Sequence, residues 1–337
     1  MNAIELNIFV SRLNAVCDEM GAMLQRAAFS PNIRDRLDYS CAVFDAQGEL
    51  SAQAAHIPVH LGSMAYAMRD IVTGLDWRHG DMVIVNDPYL GGTHLPDVTL
   101  IAPVFYDDIL LAFVANRAHH ADIGSETPGS MPLSSSLEEE GLVISPTHLI
   151  EAGTLSDEVM GRITAAIRSG HAGRGDFAAQ ISANRSGLLR IGELIKAMGA
   201  TAFCEALADL NDYAERLAKS ALSQIPEGEY SFSDVLDDDG LGNMDLTIRA
   251  TLQVEQQQVR VDFTGTSEQV AGNVNCPLSV AAAAVYYVFR CLMPPQTPAC
   301  AGSFRPISIT APVGCLPVSY THLTLPTNRV AGGGGGG

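Results

Sequence analysis

Two segments of the chain repeat the spacing His-x-x-Asp, one from His94 to Asp97 and one from His119 to Asp122. Two imidazoles and two carboxylates form a mixed nitrogen and oxygen donor set, which suits Mn²⁺, Fe²⁺ or Zn²⁺ better than Ca²⁺ or Mg²⁺. One such motif alone is usually a hydrogen-bonded surface pair. The repeat instead favours a divalent-metal or catalytic centre, for which the candidate ligands are His94, Asp97, His119 and Asp122.

A predicted β-hairpin brings the two copies together. Apolar runs over 98–106 and 109–115 flank Asp107-Asp108, and aspartate tolerates the positive φ that a tight hairpin turn requires. The two copies then lie at the same end of the sheet, and a bulge of one residue places Asp97 opposite His119. Neither run alternates between apolar and polar residues, which indicates that both faces of the hairpin are buried.

Residues beside the two copies are further candidates. His120 is predicted either to support a ligand or to act as a general base that faces the substrate. Asp87 precedes the first copy and is either a ligand or catalytic residue or the start of an Asx turn ahead of Pro88. Gly91-Gly92 would let backbone N–H groups approach a bound carbonyl or carboxylate, although such pairs also form plain turns.

Three other groups have weaker signals. His56 and His60 lie four residues apart, but the intervening Pro58 argues against a helical ligand pair, so a core or supporting role is predicted. Cys41 lies in an apolar strand, where burial raises the pKa of a thiol and favours a structural role over a nucleophile. The charged residues before that strand are either an ion-pair cluster or a site for an acidic substrate group: Arg34, Asp35, Arg36 and Asp38.

The wider pattern predicts an α+β fold, in which a mixed N-terminal domain (1–225) carries the antiparallel hairpin and several helices. Apolar residues recur at helical spacing from 4 to 28, and 63–75 forms a second predicted helix. The segment 155–224 is helical too, with an end at Gly199 and with Thr201 able to cap the next helix.

A β-rich segment of an incomplete second domain is predicted over 226–315, because alternation typical of strands begins after Pro226. A helix at 281–292 interrupts it. The remaining residues, 316–337, end in six glycines and show no pattern that pairs with earlier segments. We expect a non-native-looking tail there that forms no part of the fold.

Composition limits the classes of function. The chain has 337 residues with Lys+Arg 20 against Asp+Glu 38, a net charge of −18, which argues against nucleic acid and anionic membranes as partners. The only lysines, Lys196 and Lys219, leave no phosphate-binding loop that ends in Lys-Ser or Lys-Thr. Seven cysteines without a CxxC pair and no recognisable signal peptide predict reduced thiols in a cytoplasmic protein.

Both copies lie in segments, 86–98 and 117–124, that resemble signature segments of the hydantoinase B/oxoprolinase family. Further segments resemble that family in the same order, and the resemblance covers about residues 4 to 315: His56 to Gly62, Pro128 to Ser130, Gly272 to Asn275 and Phe304 to Ile307. It implies a two-part enzyme in a hetero-oligomer. An A-type subunit, which carries the ATP site, phosphorylates a small cyclic amide, 5-oxoproline or a hydantoin, and the B part completes ring opening at a divalent metal.

The resemblance also implies roles for individual residues. Carboxylase members of the family carry a metal on paired His-x-x-Asp segments, which here implies His94, Asp97, His119 and Asp122 and favours His119 over His120 as the ligand. In ring opening the metal would lower the pKa of a bound water, with His120 as the general base and the glycine-loop N–H groups around the oxyanion.

Two alternative functions stay open within this interpretation. One is a subunit of an acetone- or acetophenone-type carboxylase, and the other is a non-catalytic scaffold for the A subunit. Family members continue well beyond this length, and Ser125 stands where many of them have glycine. The resemblance therefore implies an incomplete B subunit whose activity alone is not expected.

Overall fold

The computed structural model describes residues 1–55, 57–127 and 132–318. Its elements up to residue 225 follow the order α1 (Ala3–Ala27), α2 (Pro31–Arg34), β1 (Tyr39–Asp45), β2 (Leu50–Ala55), α3 (Pro58–Thr73), β3 (Met82–Val85), β4 (Asp97–Tyr106), β5 (Ile109–His119), α4 (Leu137–Glu140), β6 (Thr147–Glu151), β7 (Thr154–Leu155), α5 (Asp157–Ala166), α6 (His171–Met198) and α7 (Ala200–Leu222). The later elements are β8 (Gly228–Asp238), β9 (Met244–Glu255), β10 (Gln258–Asp262), α8 (Leu278–Leu292) and β11 (Ile307–Thr310).

These elements build two sheets, which confirms the predicted α+β fold with its later β-rich segment. The first sheet has seven strands in the order β2-β1-β5-β4-β3-β6-β7, and every neighbouring pair is antiparallel. The second has four strands in the order β11-β10-β9-β8, of which β10 and β11 are parallel. All strands of the first sheet precede residue 226 and all strands of the second follow it, but a domain boundary there stays a prediction.

Helices cover both faces of the first sheet. On one face, Leu100 of β4 and Val114 of β5 belong to a core shared with α1 and α6. On the other face, Ile101 and Phe113 pack in a second core with the apolar residues of α3. Because successive residues of a strand point to opposite faces, this arrangement buries almost the whole of β4 and β5, as their unbroken apolar runs predicted.

The central hairpin has the predicted turn and register. Asp107 and Asp108 both have positive φ, at 47° and 61°, as a two-residue type I′ turn requires. One register irregularity, between Val104 and Phe105, shifts the pairing by one residue, so that Asp97 lies opposite His119. This bulge brings the two signature segments to one end of the sheet.

Two helix starts and one terminal segment differ from prediction. Helix α3 begins at Pro58 rather than at 63, because proline is compatible with the first turn of a helix. Helix α7 begins after Gly199 without a side-chain cap, so Thr201 does not cap it. Leu316 begins a buried 3₁₀ turn, Leu316–Val318, whose backbone bonds to Ser267 and Cys276. The rest of the predicted tail, 319–337, lies outside the described residues.

No helix among the described residues combines the length and the apolar character needed to cross a bilayer. The most apolar helix of the second part, α8, instead packs against the second sheet. Its Val285 and Phe289 share a buried cluster with Val259 and Ile307 of that sheet.

Helices α3 and α8 approach so closely at Gly62 that a methyl group does not fit. A Cβ at this position would lie 2.6 Å from Cα of Ala283, so we expect Gly62→Ala to lower the free energy of unfolding by about 1–3 kcal/mol. At Gly192 in α6, a Cβ would have no neighbouring atom within 4 Å, and Gly192→Ala should raise the same quantity by about 0.5–1 kcal/mol. Urea unfolding measures the free energy of unfolding of both variants. Equal changes in Gly62→Ala and Gly192→Ala would contradict the close approach of the two helices at Gly62.

Candidate metal centre

The ends of three neighbouring strands place acidic and imidazole side chains at one edge of the first sheet. Asp97 begins β4, His119 ends β5, and Asp38 directly precedes β1. The backbone N–H of His119 donates to the carbonyl of Asp38 at 3.0 Å, which links β5 to the start of β1. His94 reaches the same edge from the loop before β4, whose backbone turns back where the N–H of Asp97 donates to the carbonyl of His94 at 3.0 Å.

Three donor atoms converge at this edge. Nε2 of His94 lies 3.0 Å from Oδ1 of Asp97, and Nδ1 of His119 lies 3.1 Å from the same oxygen. Each of the three residues offers a donor atom, and these donor atoms lie within 4.8 Å of one another. Donors that share an ion at bond lengths of about 2.1 Å lie about 3 Å apart, so the two distances to Asp97 and the donor types suit Zn²⁺, Fe²⁺ or Mn²⁺.

The second oxygen of Asp97 is held by other side chains. Oδ2 accepts a hydrogen bond from the hydroxyl of Thr93 and lies 3.4 Å from Nε2 of His60. The other ring nitrogen of His60 lies 2.9 Å from Oγ of Ser40. Asp97 therefore has one oxygen fixed by the protein and one directed at His94 and His119.

A second group of possible donors shares Asp97. Asp38, His60 and Asp97 also offer donor atoms within 4.8 Å of one another, and Oδ2 of Asp38 lies 3.9 Å from Nδ1 of His119. The side chain of His60 is only 1% exposed, whereas that of His94 is 36% exposed. Because an ion and its substrate need access, we favour the group that contains His94, with Asp38 beside it.

Burial and the surrounding imidazoles have opposite effects on Asp97. Burial alone would raise its pKa, but hydrogen bonds with His119, His60 and His94 outweigh burial and hold the pKa well below its usual range. For His94, burial lowers the pKa, and the hydrogen bond and charge of Asp97 outweigh it and raise the pKa. A buried carboxylate that stays ionised is the form that binds a cation.

Arg117 joins the elements that carry these side chains. Its guanidinium is 1% exposed and donates to the hydroxyls of Thr99 (2.8 Å) and Ser63 (2.7 Å) and to the carbonyl of Gly91. Burial lowers its pKa to about 10, against the opposing charge of Asp97, so it stays positive at neutral pH. One buried cation thus links β4, α3 and the loop that leads to His94.

The structure brings His94, Asp97 and His119 together but not Asp122, the fourth predicted ligand. Asp122 belongs to neither donor group among the described residues. Its Oδ1 accepts from the backbone N–H of Gly124 at 2.9 Å, and its Oδ2 accepts from those of Arg168 and Ser169 at 2.6 and 2.7 Å. Asp122 therefore joins the loop after β5 to the segment between α5 and α6.

We expect Asp122→Asn to retain the metal and to lower stability. An amide keeps one accepting oxygen but turns its NH₂ group towards backbone N–H donors, at a cost of about 1–3 kcal/mol. Metal content per chain and urea unfolding test this expectation. A folded Asp122→Asn protein without metal would restore Asp122 as a ligand.

The two predicted catalytic residues are both enclosed. His120 is 1% exposed; its Nε2 lies 2.9 Å from Oε1 of Gln180, and its ring stacks on Phe177 at 4.2 Å. Burial lowers the pKa of His120. Asp87, also 1% exposed, accepts from the backbone N–H of Tyr89 at 3.0 Å, which is the Asx turn before Pro88. Neither side chain faces an open site, so we do not assign them the general-base role.

The glycine loop likewise uses its polar groups internally. The N–H of Gly92 donates to the carbonyl of Asp87 at 2.8 Å, and the carbonyl of Gly92 accepts from Ser279 at 2.9 Å. A Cβ on Gly92 would lie 2.3 Å from the carbonyl oxygen of Asn86. The glycine here permits a tight turn, and its N–H is not available to an oxyanion.

Two members of this cluster, His60 and Asp38, have only a weak signal in the sequence. The sequence predicts only a core or supporting role for His60, because Pro58 argues against a helical pair. In the structure Pro58 begins α3, and His60, in the first turn of that helix, lies beside Asp97. The sequence groups Asp38 with Arg34 and Asp35, which pair with each other at the surface. The available signal is its place directly before a strand that pairs with β5.

The cysteines show no second chemical site. All seven are free thiols, and Cys41 is fully buried, which raises its pKa well above the usual range. The burial of Cys41 therefore agrees with the predicted structural role and not with a role as a nucleophile. His56 and the segment 128–130, which carry part of the sequence resemblance, lie outside the described residues.

Comparisons with known proteins agree on one family. The family described as hydantoinase B/oxoprolinase matches residues 2–321. The 5-oxoprolinase of Saccharomyces cerevisiae is 35% identical over 335 residues, which cover 94% of this chain and 26% of the yeast protein. The putative B component of a D-/L-hydantoinase from a Pseudomonas species is 33% identical over 335 residues, which cover 94% of this chain and 57% of that protein.

A solved structure has the same fold. The crystal structure of the ATP-dependent caprolactamase from Pseudomonas jessenii matches 96% of this chain and 57% of its own chain, with a TM-score of 0.90 and 27% identity. The present chain spans from about a quarter to a little over half of the length of such relatives.

Proposed function

The chain belongs to the hydantoinase B/oxoprolinase family, and from that premise we propose that it is the metal-bearing part of a B-type subunit in an ATP-dependent hydrolase of cyclic amides. The substrates we propose are 5-oxoproline or a hydantoin, and the partner is an A-type subunit that binds ATP. The observation that carries this proposal is the convergence of His94, Asp97 and His119 on one point at the sheet edge.

A divalent metal would be held by Nε2 of His94, Oδ1 of Asp97 and Nδ1 of His119. When bound, it would act as a Lewis acid that makes a water molecule more acidic. Thr93 and His60 would keep the other oxygen of Asp97 fixed and so prevent rotation of the carboxylate. The exposed part of His94 marks the side from which substrate would enter.

Asp38 is the residue we propose for proton transfer. Its carboxylate is 19% exposed and lies beside His119, so it borders the donor set without being enclosed like His120. A carboxylate there can accept a proton from an attacking water and return it to the ring nitrogen. This role replaces the general base that the sequence assigned to His120.

The reaction balances with two water molecules. Transfer of the terminal phosphoryl group of ATP to the amide oxygen, on the A-type partner, releases ADP and makes the ring carbon more electrophilic. One water adds to that carbon and gives its proton to Asp38; the ring C–N bond then breaks, and the nitrogen takes up a proton. The second water cleaves the resulting acyl phosphate to a carboxylate and inorganic phosphate.

Substrate-dependent ADP release by the full-length subunit with its A-type partner tests the proposal. We expect ADP and a ring-opened acid with 5-oxoproline or a hydantoin, together with a bound divalent metal. ADP release only with acetone or acetophenone plus bicarbonate would instead support the carboxylase alternative. A full-length subunit that binds no metal, in a complex that is active without it, would support the scaffold alternative.

Three further features support the proposed location and the proposed division of labour with the partner. The seven free thiols agree with the reducing cytoplasm as its location. The acidic charge and the absence of a Lys-Ser/Thr phosphate loop in the sequence agree with ATP binding by the partner rather than by this chain.

A further inference from the structure

A buried network of hydrogen-bonding side chains joins α6 to β4 and β5 beside the metal centre. Its four members are each at most 1% exposed: Asn116, His120, Gln180 and Asn184. Buried polar groups are costly unless they are satisfied, and a fully satisfied network rigidifies the elements that it joins. The function proposed above uses none of these side chains.

Gln180 has the most connections in this network. Its Nε2 donates to the carbonyl of Val98 and to Oδ1 of Asn116, both at 2.9 Å. Because a carbonyl oxygen can only accept, the amide nitrogen must face Val98, and Oε1 must face His120 at 2.9 Å. His120 therefore donates through Nε2, and the amide cannot turn over without losing these bonds.

Gln180 bonds to two residues, Val98 and His120, that each directly follow a proposed ligand in the sequence. Val98 follows Asp97 at the start of β4, and His120 follows His119 at the end of β5. Asp97 and His119 lie opposite each other in the ladder. One amide from α6 thus connects the residue after each of these ligands, at the point where the two strands begin and end.

We propose that Gln180 is a positioning residue that fixes Asp97 and His119 at the spacing a divalent metal requires. This inference rests on the metal site of the proposed function. The strand ends lie next to loops, where backbone motion is least restricted, and the connection through Gln180 opposes such motion without contact with the metal. Groups that hydrogen-bond directly to a metal ligand contribute about 10- to 100-fold to metal affinity, and for Gln180, which bonds to the residue after each ligand, we expect the lower end of that range.

Asn184 provides a matched control on the same helix. It lies one turn after Gln180, donates to the carbonyl of Leu100 at 3.1 Å and accepts from Asn116 at 2.8 Å. It is equally buried and also links α6 to β4, but it bonds to neither residue that follows a ligand. Loss of Asn184 removes the same kind of helix–sheet hydrogen bond at a greater distance from the site.

The test compares Gln180→Met with Asn184→Leu in the full-length subunit. We expect both variants to melt about 1–3 °C lower, since each leaves buried groups unsatisfied. Competition between the protein and a chelator for Zn²⁺ should show about 10-fold weaker binding for Gln180→Met and unchanged binding for Asn184→Leu. Absorption of bound Co²⁺, which reports coordination geometry, should change only in Gln180→Met.

A second variant keeps the test decisive if Gln180→Met does not fold. His120→Phe retains an aromatic ring to stack on Phe177 and removes the other end of the contact, and it should weaken Zn²⁺ binding similarly. Equal Zn²⁺ affinity in wild type, Gln180→Met and His120→Phe would overturn the positioning role while leaving the metal site in place. A wild-type protein that binds no divalent metal would overturn the proposed site itself.

Discussion

Replacing His119 by alanine is expected to abolish metal binding and ATP-coupled ring opening together. Its Nδ1 is one of three converging donors, and it ends a strand whose backbone is fixed by β1 and β4. We do not expect His60 to take its place, because its side chain is only 1% exposed and is held between Ser40 and Asp97. We expect metal affinity to fall by more than about 100-fold, beyond the range for indirect partners.

Metal analysis after dialysis, together with ADP release by the complex, measures this effect. His79→Ala is the matched control, because His79 is exposed and lies near the ring of Phe105, at the hairpin-turn end of β4 and not at the end that carries Asp97. The control should bind metal and turn over like wild type. Stoichiometric metal in a folded His119→Ala protein would refute His119 as a ligand.

The second large effect is expected at Arg117. Arg117→Met removes a buried guanidinium that donates to three acceptors, and the carbonyl of Gly91 then has no replacement donor. Each unsatisfied buried group costs about 1–3 kcal/mol, so we expect a loss of about 3 kcal/mol or more in the free energy of unfolding. Metal affinity should fall as well, because the loop that carries His94 loses its connection to Thr99 and Ser63.

Chemical unfolding and metal titration of the same samples separate the two consequences. Arg34→Met serves as the control, since Arg34 is exposed and pairs only with its neighbour Asp35 among the described residues; it should leave stability and metal binding close to wild type. Arg117→Lys retains the charge but cannot reach three acceptors at once, so it should fall between the two. Wild-type stability in Arg117→Met would contradict the linking role.

Local chemistry made the hairpin predictable. Two aspartates between apolar runs define a tight turn, the unbroken apolar runs indicate burial of both faces, and the possibility of one bulge led to the pairing of Asp97 with His119. These features depend on residues close in sequence, and the structure has all of them. The α+β arrangement followed from periodicity in the same way.

Long-range contacts made the complete cluster unpredictable. The repeated spacing suggested two equivalent pairs, yet only the first pair is in contact, with Nε2 of His94 3.0 Å from Oδ1 of Asp97. Asp122 follows the strand end and bonds instead to the backbone of Arg168 and Ser169. Asp38 and His60 come from 59 and 37 residues before Asp97 and reach it only through sheet order and helix placement. The positions of such partners require the folded topology.

The bulge between Val104 and Phe105 has an implication for how this family can vary in length. The unpaired residue is Leu111 of β5, because Val104 pairs with Ala112 and Phe105 pairs with Leu110. Removing one residue from β4 would shift this register, move the side chains between that point and Asp97 to the opposite face, and direct the Asp97 carboxylate away from His119. Insertions or deletions of two residues in each strand near the Asp107-Asp108 turn would keep every side chain on its present face of the sheet. Length changes in the two strands between turn and ligands should therefore occur in even numbers, with both strands altered together.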